Sequence, residues 1–141
     1  MAREKIQEIY CWKIESDELN IYLASSKKGA VRIGLSLKNG PDCIEYFKKK
    51  FIQGSLVKDD LMNRPLMNAL KAALKGRPIS KNLILDISST PFQRMVWEKI
   101  DLIPFGQTRT YGEVAVIIGR PGGARAVGQA MNKNPLPLIF P

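Results

Sequence analysis

Histidine is absent from this sequence of 141 residues, and cysteine occurs only twice, as Cys11 and Cys43. The missing imidazole excludes Ser–His and Cys–His catalysis within these residues, and it excludes any histidine-ligated metal. The two cysteines are far apart in the sequence and form no Cys-X-X-Cys pair, so we expect no metal site and no cofactor. Two isolated cysteines are more typical of a reduced, intracellular protein than of a disulfide-stabilised one.

The sequence also lacks the apolar segments that membrane insertion requires. Its first ten residues, MAREKIQEIY, contain no signal-peptide core. No apolar run approaches the roughly 18–20 residues of a membrane span. We therefore expect a cytoplasmic protein, or a nuclear one in a eukaryote, with no membrane partner.

Acidic residues are outnumbered, with 13 Asp+Glu against 22 Lys+Arg, and the net charge is +9. An excess of positive charge favours polyanionic partners, nucleic acid first, although many soluble proteins are basic for other reasons. The hydrophobic content of 45% and the charged content of 25% are typical of a folded globular protein. The length allows one ordinary domain or two small ones.

Three segments in the first third of the chain predict β-strands. They are residues 9–14 (IYCWKI), 19–23 (LNIYL) and 31–37 (VRIGLSL). In the last two, apolar residues alternate with other residues, which is the period of a half-buried strand. A turn at residues 26–29 contains a glycine, so we expect the last two strands to form a hairpin.

Two helices and a further short strand are expected to follow. Residues 44–51 and 65–74 carry apolar side chains at three- and four-residue spacing, and Pro78 would close the second helix. The lysines at 48–50 have two interpretations. They could contact phosphate, but we favour the solvent-exposed face of the first helix. The apolar pattern of residues 83–87 predicts the strand.

A domain boundary is predicted at the serines that precede Thr90. It separates residues 1–89, an α+β domain, from residues 90–141, a helical domain. Thr90 and Thr110 each begin a capping-box pattern, with Gln or Glu three residues later, which predicts the start of a helix. A Gly/Pro-rich turn after the second of these helices leads into a third, residues 124–131, so the pair suggests a helix-turn-helix.

The last of these helices is built almost wholly from small residues around Arg125. The residues with almost no side chain are Gly123, Ala124, Ala126, Gly128 and Ala130. Glycine inside a helix costs about 1 kcal/mol relative to alanine, so Gly128 needs an offsetting reason. One reason is close helix–helix packing. The other is close approach to a narrow DNA groove, with phosphates bound by backbone N–H groups at the helix start and one arginine projecting.

These features lie within two stretches, TPFQRMVWEKIDLIPFGQTRTYGEV and GRPGGARAVGQAMNKNPLPLIFP. The sequence resembles the O6-alkylguanine-DNA alkyltransferase family, the methylated-DNA–protein-cysteine methyltransferases. The resemblance covers residues 90–141 closely and residues 1–89 loosely. It implies an α+β fold. The N-terminal part would be a ribonuclease-H-like, three-stranded antiparallel sheet with helices, and the C-terminal part a winged-helix-like DNA-binding domain.

The function that the resemblance implies is DNA repair. Family members flip an O6-alkylguanine out of double-stranded DNA through the minor groove and transfer the alkyl group irreversibly to a protein cysteine. The implied partner is therefore duplex DNA containing O6-alkylguanine, bound by a monomer. The alternative is a non-catalytic alkyltransferase-like protein that binds damaged DNA, but such proteins usually lack an N-terminal domain of this length.

The resemblance also assigns roles to individual residues. Arg125 would fill the gap left by the flipped base, and Tyr111 would rotate the adjacent phosphate and bond the extruded guanine. Asn134 would hold the turn that leads to the nucleophile. The residues implied near the DNA backbone are Gln93, Gly112 and Arg120. The alkyl pocket would be lined by Tyr111, Met131 and Pro137.

The nucleophile itself is not among the 141 residues. The family's cysteine would come directly after Pro141, and neither Cys11 nor Cys43 is in a position that fits the site. The apolar run of residues 136–141 should be buried against sequence that follows it. Three explanations are open: the chain is a fragment, a modified cysteine follows Pro141, or the chain is naturally truncated and still binds DNA. We favour the fragment, and in each case the 141 residues alone would be inactive in alkyl transfer.

Overall fold

The structure is a computed structural model that describes residues 6–77 and 83–140. Contacts divide the chain into two compact units, Met1–Ile87 and Ser88–Pro141, named unit 1 and unit 2 below. Whether each unit folds on its own as a domain stays a prediction. None of the described helices is long and apolar enough to cross a bilayer.

Unit 1 is built on a four-stranded sheet with the order β3-β2-β1-β4. The strands are β1 (Glu8–Glu15), β2 (Leu19–Ser26), β3 (Gly29–Leu37) and β4 (Ser55–Lys58). β1 pairs with β2 and β2 with β3 in antiparallel fashion, so the predicted hairpin is confirmed. The three predicted strands are present, and the α+β class is confirmed.

The fourth strand was not expected. β4 pairs in parallel with β1, from Glu8 opposite Ser55 to Cys11 opposite Lys58. Four residues are too few to show a clear alternation, so the sequence pattern did not reveal them. The strand predicted over residues 83–87 is wrong, because only an isolated bridge from Ala30 to Leu85 forms there.

The first helix of unit 1, α1 (Cys43–Phe47), is shorter than predicted. It begins after Asp42, whose side chain accepts a hydrogen bond from the Glu45 N–H at 2.8 Å. The exposed lysines at 48–50 follow the helix in a turn, so their placement on a helical face is wrong. The chain reverses here to bring β4 alongside β1, and the spacing of apolar residues alone did not show that reversal.

The second helix, α2 (Arg64–Leu74), is confirmed. It buries Leu66, Ala69 and Leu70, and proline stands in its first turn, where no intrahelical N–H is lost. The helix ends at Leu74, just before Gly76, whose φ is 67°. Pro78, predicted to close the helix, lies outside the described residues. The buried Asn63 precedes it and donates to the backbone carbonyl of Tyr10 at 3.0 Å, which ties the start of α2 to β1.

Unit 2 consists of three helices in its described residues, α3 (Pro91–Asp101), α4 (Tyr111–Ile117) and α5 (Ala124–Asn132). Both predicted capping boxes are confirmed. Thr90 and Thr110 each accept a hydrogen bond at 3.1 Å from the backbone N–H three residues later. The side chains of Gln93 and Glu113 accept from the threonine N–H groups in return, also at 3.1 Å. These bonds fix where α3 and α4 begin.

Candidate nucleic-acid interface

α4 and α5 form the predicted helix-turn-helix, and glycine geometry explains the turn between them. Gly119 and Gly122 have φ angles of 78° and 84°, in the left-handed region that disfavours other residues. At Gly123 a Cβ would lie 2.9 Å from the carbonyl oxygen of Arg120, which is too close. Gly123 is thus explained by the turn itself, although that does not exclude the DNA contact predicted for it.

α5 is fixed in unit 2 by its inner face. Val127 and Ala130 are buried, and the Trp97 indole N–H of α3 donates to the Ala130 carbonyl at 2.9 Å. Outside this face, Arg125 and Ala126 are exposed. The small-residue helix is therefore not sealed inside the protein, which is the condition for its use as a binding surface.

Gly128 is explained by Tyr111. The tyrosine is the first residue of α4, and a Cβ at position 128 would lie 3.2 Å from two of its ring carbons. Close packing within the helix pair, the first of the two reasons considered for this glycine, is therefore present. The tyrosine stays 51% exposed, so its hydroxyl end remains available to a ligand.

An open groove of about 830 Å³ runs beside α5. Its lining residues are Tyr111, Ala124, Arg125, Gly128, Gln129, Met131, Asn132, Asn134, Pro137, Leu138 and Phe140. The structure thus brings together the residues that the resemblance assigned to flipping, to the alkyl pocket and to the turn. Gln129 and Leu138 also line the groove and were not singled out from the sequence.

Asn134 closes the segment after α5 with two hydrogen bonds. Its Nδ2 donates to the Phe140 carbonyl at 2.6 Å, and its Oδ1 accepts from the Leu136 N–H at 2.9 Å. Leu138, between these anchors, has a φ of 74°. A leucine in this region is strained, at a cost on the order of 1–3 kcal/mol. The Asn134 amide therefore holds a strained turn at the wall of the groove.

The apolar run in this turn is already covered. Leu136, Ile139 and Phe140 are buried, and the Phe140 ring stacks on Trp97 with centroids 6.2 Å apart. The expectation that only sequence beyond Pro141 could bury this run is therefore wrong. α3 supplies the apolar partner, which the sequence pattern could not show because the two segments are far apart in the chain.

Three predicted DNA-backbone residues lie outside the groove. Gln93 is half-buried and already serves the cap of α3. Arg120 is exposed, with its guanidinium 5.0 Å from the centroid of the Phe92 ring. Gly112 has open space on its Cβ side, where the nearest atom, Thr110 Oγ1, would be 3.8 Å away. Packing gives no reason for glycine at 112, and phosphate contact at these residues stays a prediction.

The only charge on α5 is positive. The sequence of α5, ARAVGQAMN, contains a single cation and no anion. Within residues 6–77 and 83–140, no group of three or more His, Cys, Asp or Glu side chains could hold a metal ion. The chemistry available along the groove is therefore hydrogen bonding, apolar contact and the positive charge of Arg125.

Comparison with known proteins identifies the class to which this interface belongs. A family model described as "6-O-methylguanine DNA methyltransferase, DNA binding domain" matches residues 91–141. The inducible methylated-DNA–protein-cysteine methyltransferase of Bacillus subtilis is 34% identical over 122 residues, which are 86% of this chain and 68% of that protein. The enzyme of the same name from Methanosarcina barkeri is 36% identical over 128 residues, 91% of this chain and 76% of that protein.

Solved structures of similar proteins point to the same family. The Mycobacterium tuberculosis O6-methylguanine methyltransferase matches with a TM-score of 0.71 and 28% identity, over 94% of this chain and 75% of that one. The structure of Mycobacterium tuberculosis OGT in complex with DNA matches with a TM-score of 0.69 and 29% identity, at the same coverage. The chain therefore belongs to the methylated-DNA–protein-cysteine methyltransferase family.

Proposed function

We propose that this protein repairs DNA by direct, irreversible transfer of an alkyl group from O6-alkylguanine to a protein cysteine. The observation that carries the proposal is the groove beside α5, where Tyr111, Arg125, Met131, Asn134 and Pro137 converge. Family membership supports the reaction, because the relatives are named for it. Those names also favour the enzyme over the non-catalytic damage-binding alternative.

Duplex DNA binds to the exposed face of α5 in this proposal. A helix surface of alanine and glycine lets the backbone approach a minor groove that larger side chains would block. Gln93, Gly112 and Arg120, which lie outside the groove, contact phosphates in this proposal. Such contacts are independent of base sequence, as a search for rare lesions along a genome requires.

Arg125 and Tyr111 act on the damaged nucleotide. Extruding a base costs a few kcal/mol in lost stacking and pairing. The Arg125 guanidinium enters the vacated space, where it can stack and donate to neighbouring acceptors, and thereby offsets part of that cost. Tyr111, a half-exposed residue that lines the groove, bonds the extruded guanine through its hydroxyl in this proposal.

The alkylated base enters the groove between α5 and the strained turn. Met131 and Pro137 supply apolar surface for the alkyl group, and Asn134 fixes the turn. The acceptor cysteine is the residue that the family resemblance places directly after Pro141. Cys11 and Cys43 do not replace it, because both are fully buried in unit 1. We further propose that the protein acts as a monomer in the cytoplasm, or in the nucleus of a eukaryote.

A binding experiment tests this proposal. We would measure the affinity of the 141-residue chain for a duplex with one O6-methylguanine and for the same duplex undamaged. The unaltered protein should prefer the damaged duplex. Arg125→Ala should lose at least tenfold in affinity for the damaged duplex, because no guanidinium then fills the space left by the extruded base. Lys49→Ala, an exposed change in unit 1, should bind both like the unaltered protein.

Two outcomes would contradict the proposal. Equal affinity of the unaltered protein for both duplexes would indicate a DNA-binding protein with no damage specificity. Equal effects of Arg125→Ala and Lys49→Ala would remove Arg125 from its proposed role. Alkyl transfer is tested separately by incubating damaged DNA with a protein that includes the residue after Pro141. Methylation of that residue, located by peptide mass, is the expected result.

A further inference from the structure

We propose that Cys11 and Cys43 form a site of covalent modification, a buried dithiol that a small disulfide compound oxidises to an intramolecular disulfide bond. The two Sγ atoms lie 2.9 Å apart, and both side chains are fully buried. Neither cysteine has a part in the proposed DNA repair. The inference concerns unit 1 alone and stands or falls independently of that function.

The backbone on both sides of this pair is held by neighbouring elements. Cys11 lies within β1, opposite Ala24 of β2 on one side and Lys58 of β4 on the other. Cys43 is the first residue of α1, whose start is capped by Asp42. A disulfide requires that two Cβ atoms face each other at short range. Thiols already in contact on fixed backbone meet that requirement with little movement.

The charged groups that act on this pair are Asp42, which raises the pKa of the Cys11 thiol, and Lys58, which lowers it. The thiols lie in an apolar cluster with Ile9, Tyr22 and Phe47. Within the described residues, each thiol has only the other as a side-chain hydrogen-bond partner. A disulfide is an apolar group of nearly the same volume as two touching thiols, so oxidation leaves no buried polar group unsatisfied.

Burial controls the rate of this oxidation. Desolvation, and after it the hydrogen bond to Cys43, raise the pKa of the Cys11 thiol well above its ordinary value. The thiolate is the species that attacks a disulfide, so both burial and the raised pKa slow the reaction near neutral pH. We therefore expect oxidation over hours, faster at higher pH, with entry of the oxidant through transient opening of unit 1.

The reaction proceeds by two exchanges with a disulfide compound RSSR. The thiolate of one cysteine attacks a sulfur of RSSR, forms a mixed disulfide and releases RS⁻. The second cysteine, after losing its proton to solvent, attacks the protein sulfur of that mixed disulfide and releases the second RS⁻. The protein loses two protons and two electrons, and RSSR takes them up to become two thiols. Contact between the sulfurs makes the second step fast, so the mixed disulfide does not accumulate.

The product links β1 to α1 and closes the chain between residues 11 and 43. A cross-link across a loop of this length restricts the unfolded chain and stabilises the folded one. We expect oxidation to raise the thermal midpoint by roughly 5–10 °C.

The test uses the folded full chain incubated with oxidised glutathione at pH 7.0 and at pH 8.5. Intact mass should fall by two hydrogens, faster at the higher pH. Proteolysis without reductant should release one linked pair of peptides containing Cys11 and Cys43. Dithiothreitol should reverse both changes, and thermal unfolding should show the higher midpoint only in the oxidised sample.

Matched variants provide the control. Cys11→Ala and Cys43→Ala should each leave one thiol and show no internal link, with circular dichroism to verify that they fold. The unaltered protein keeps the test decisive even if a variant does not fold. A link that forms in urea but not in the native protein would overturn the proposal. So would a lasting glutathione adduct, or a link that lowers the thermal midpoint.

Discussion

The ring of Tyr111 covers Gly128, so closely that a Cβ on residue 128 would lie 3.2 Å from two ring carbons. The tyrosine is the first residue of α4 and the glycine is in the middle of α5. The second helix of the pair therefore carries a glycine at a point where the helix alone would favour alanine. The contact sets the position of the ring at one wall of the groove.

Gly128→Ala should consequently change binding more than stability. Alanine gains about 1 kcal/mol of helix propensity, which offsets the crowding of a ring that is half-exposed and can shift. We expect the unfolding free energy to change by less than about 1 kcal/mol. Affinity for an O6-methylguanine duplex should nevertheless fall several-fold, because the hydroxyl of Tyr111 moves with its ring. Urea denaturation and fluorescence anisotropy measure the two effects.

Gly112→Ala is the matched control for the stability part of that experiment. Residue 112 lies in the first turn of α4, and its added Cβ would have no neighbour closer than 3.8 Å. The change should therefore stabilise the protein by up to about 1 kcal/mol. If Gly128→Ala destabilised the protein by several kcal/mol, the Tyr111 ring would be rigidly held, and our account of the contact would be wrong.

Asn134→Ala should loosen the turn at the other wall of the groove. It removes the bonds to the Phe140 carbonyl and the Leu136 N–H, and so releases the strained φ of Leu138. We expect a loss of about 1–3 kcal/mol in unfolding free energy. Limited proteolysis should show faster cleavage within residues 134–140.

The comparison for Asn134 is Asn68→Ala, an exposed change on α2. It should not lower stability, since alanine favours the helix more than asparagine does, and it should leave the cleavage rate within residues 134–140 unaltered. Equal cleavage rates for the Asn134 variant and the unaltered protein would mean that packing of Ile139 and Phe140 holds the turn without the amide.

Trp97→Phe should weaken the attachment of α5. The indole is fully buried, donates to the Ala130 carbonyl at 2.9 Å and stacks on Phe140. Phenylalanine keeps the apolar contact in part but leaves a cavity. It also removes the indole bond to the Ala130 carbonyl, which keeps only the Lys133 N–H as donor, at 3.2 Å. We expect a loss of about 2–4 kcal/mol in unfolding free energy, measured by circular dichroism in urea. A loss as small as that of Trp12→Phe, a change at a half-buried position in β1, would contradict this role.

Patterns that span a few residues were predictable from the sequence, and contacts between distant residues were not. The capping boxes at Thr90 and Thr110 were predicted because each depends on residues three apart. The motif of the groove lies in one continuous stretch, so its residues could be named in advance. The contact of Cys11 with Cys43, and the pairing of β4 with β1, join segments that no local pattern connects.

The strained φ of Leu138 was equally hidden, because nothing in the letters NPLPLIFP marks a leucine for the left-handed region. The lysines at 48–50 were misplaced for the opposite reason. Their spacing among apolar residues is typical of a helix. In the structure the helix ends at Phe47, and the chain turns to form β4 beside β1. In both cases tertiary structure decided what local preference could not.

Gln93→Glu separates the structural role of this residue from its predicted contact with DNA. Glutamate accepts the Thr90 N–H as glutamine does and places a negative charge at the start of α3, where the helix dipole favours it. Stability should therefore stay equal or rise by about 0.3–1 kcal/mol. If residue 93 lies beside a phosphate, the new charge should weaken binding to undamaged duplex severalfold at low salt and less at high salt.

The reciprocal exchange in α4, Glu113→Gln, preserves the second cap and removes a negative charge, so it should not weaken binding. An unchanged affinity for Gln93→Glu across the salt series would leave Gln93 with its capping role alone.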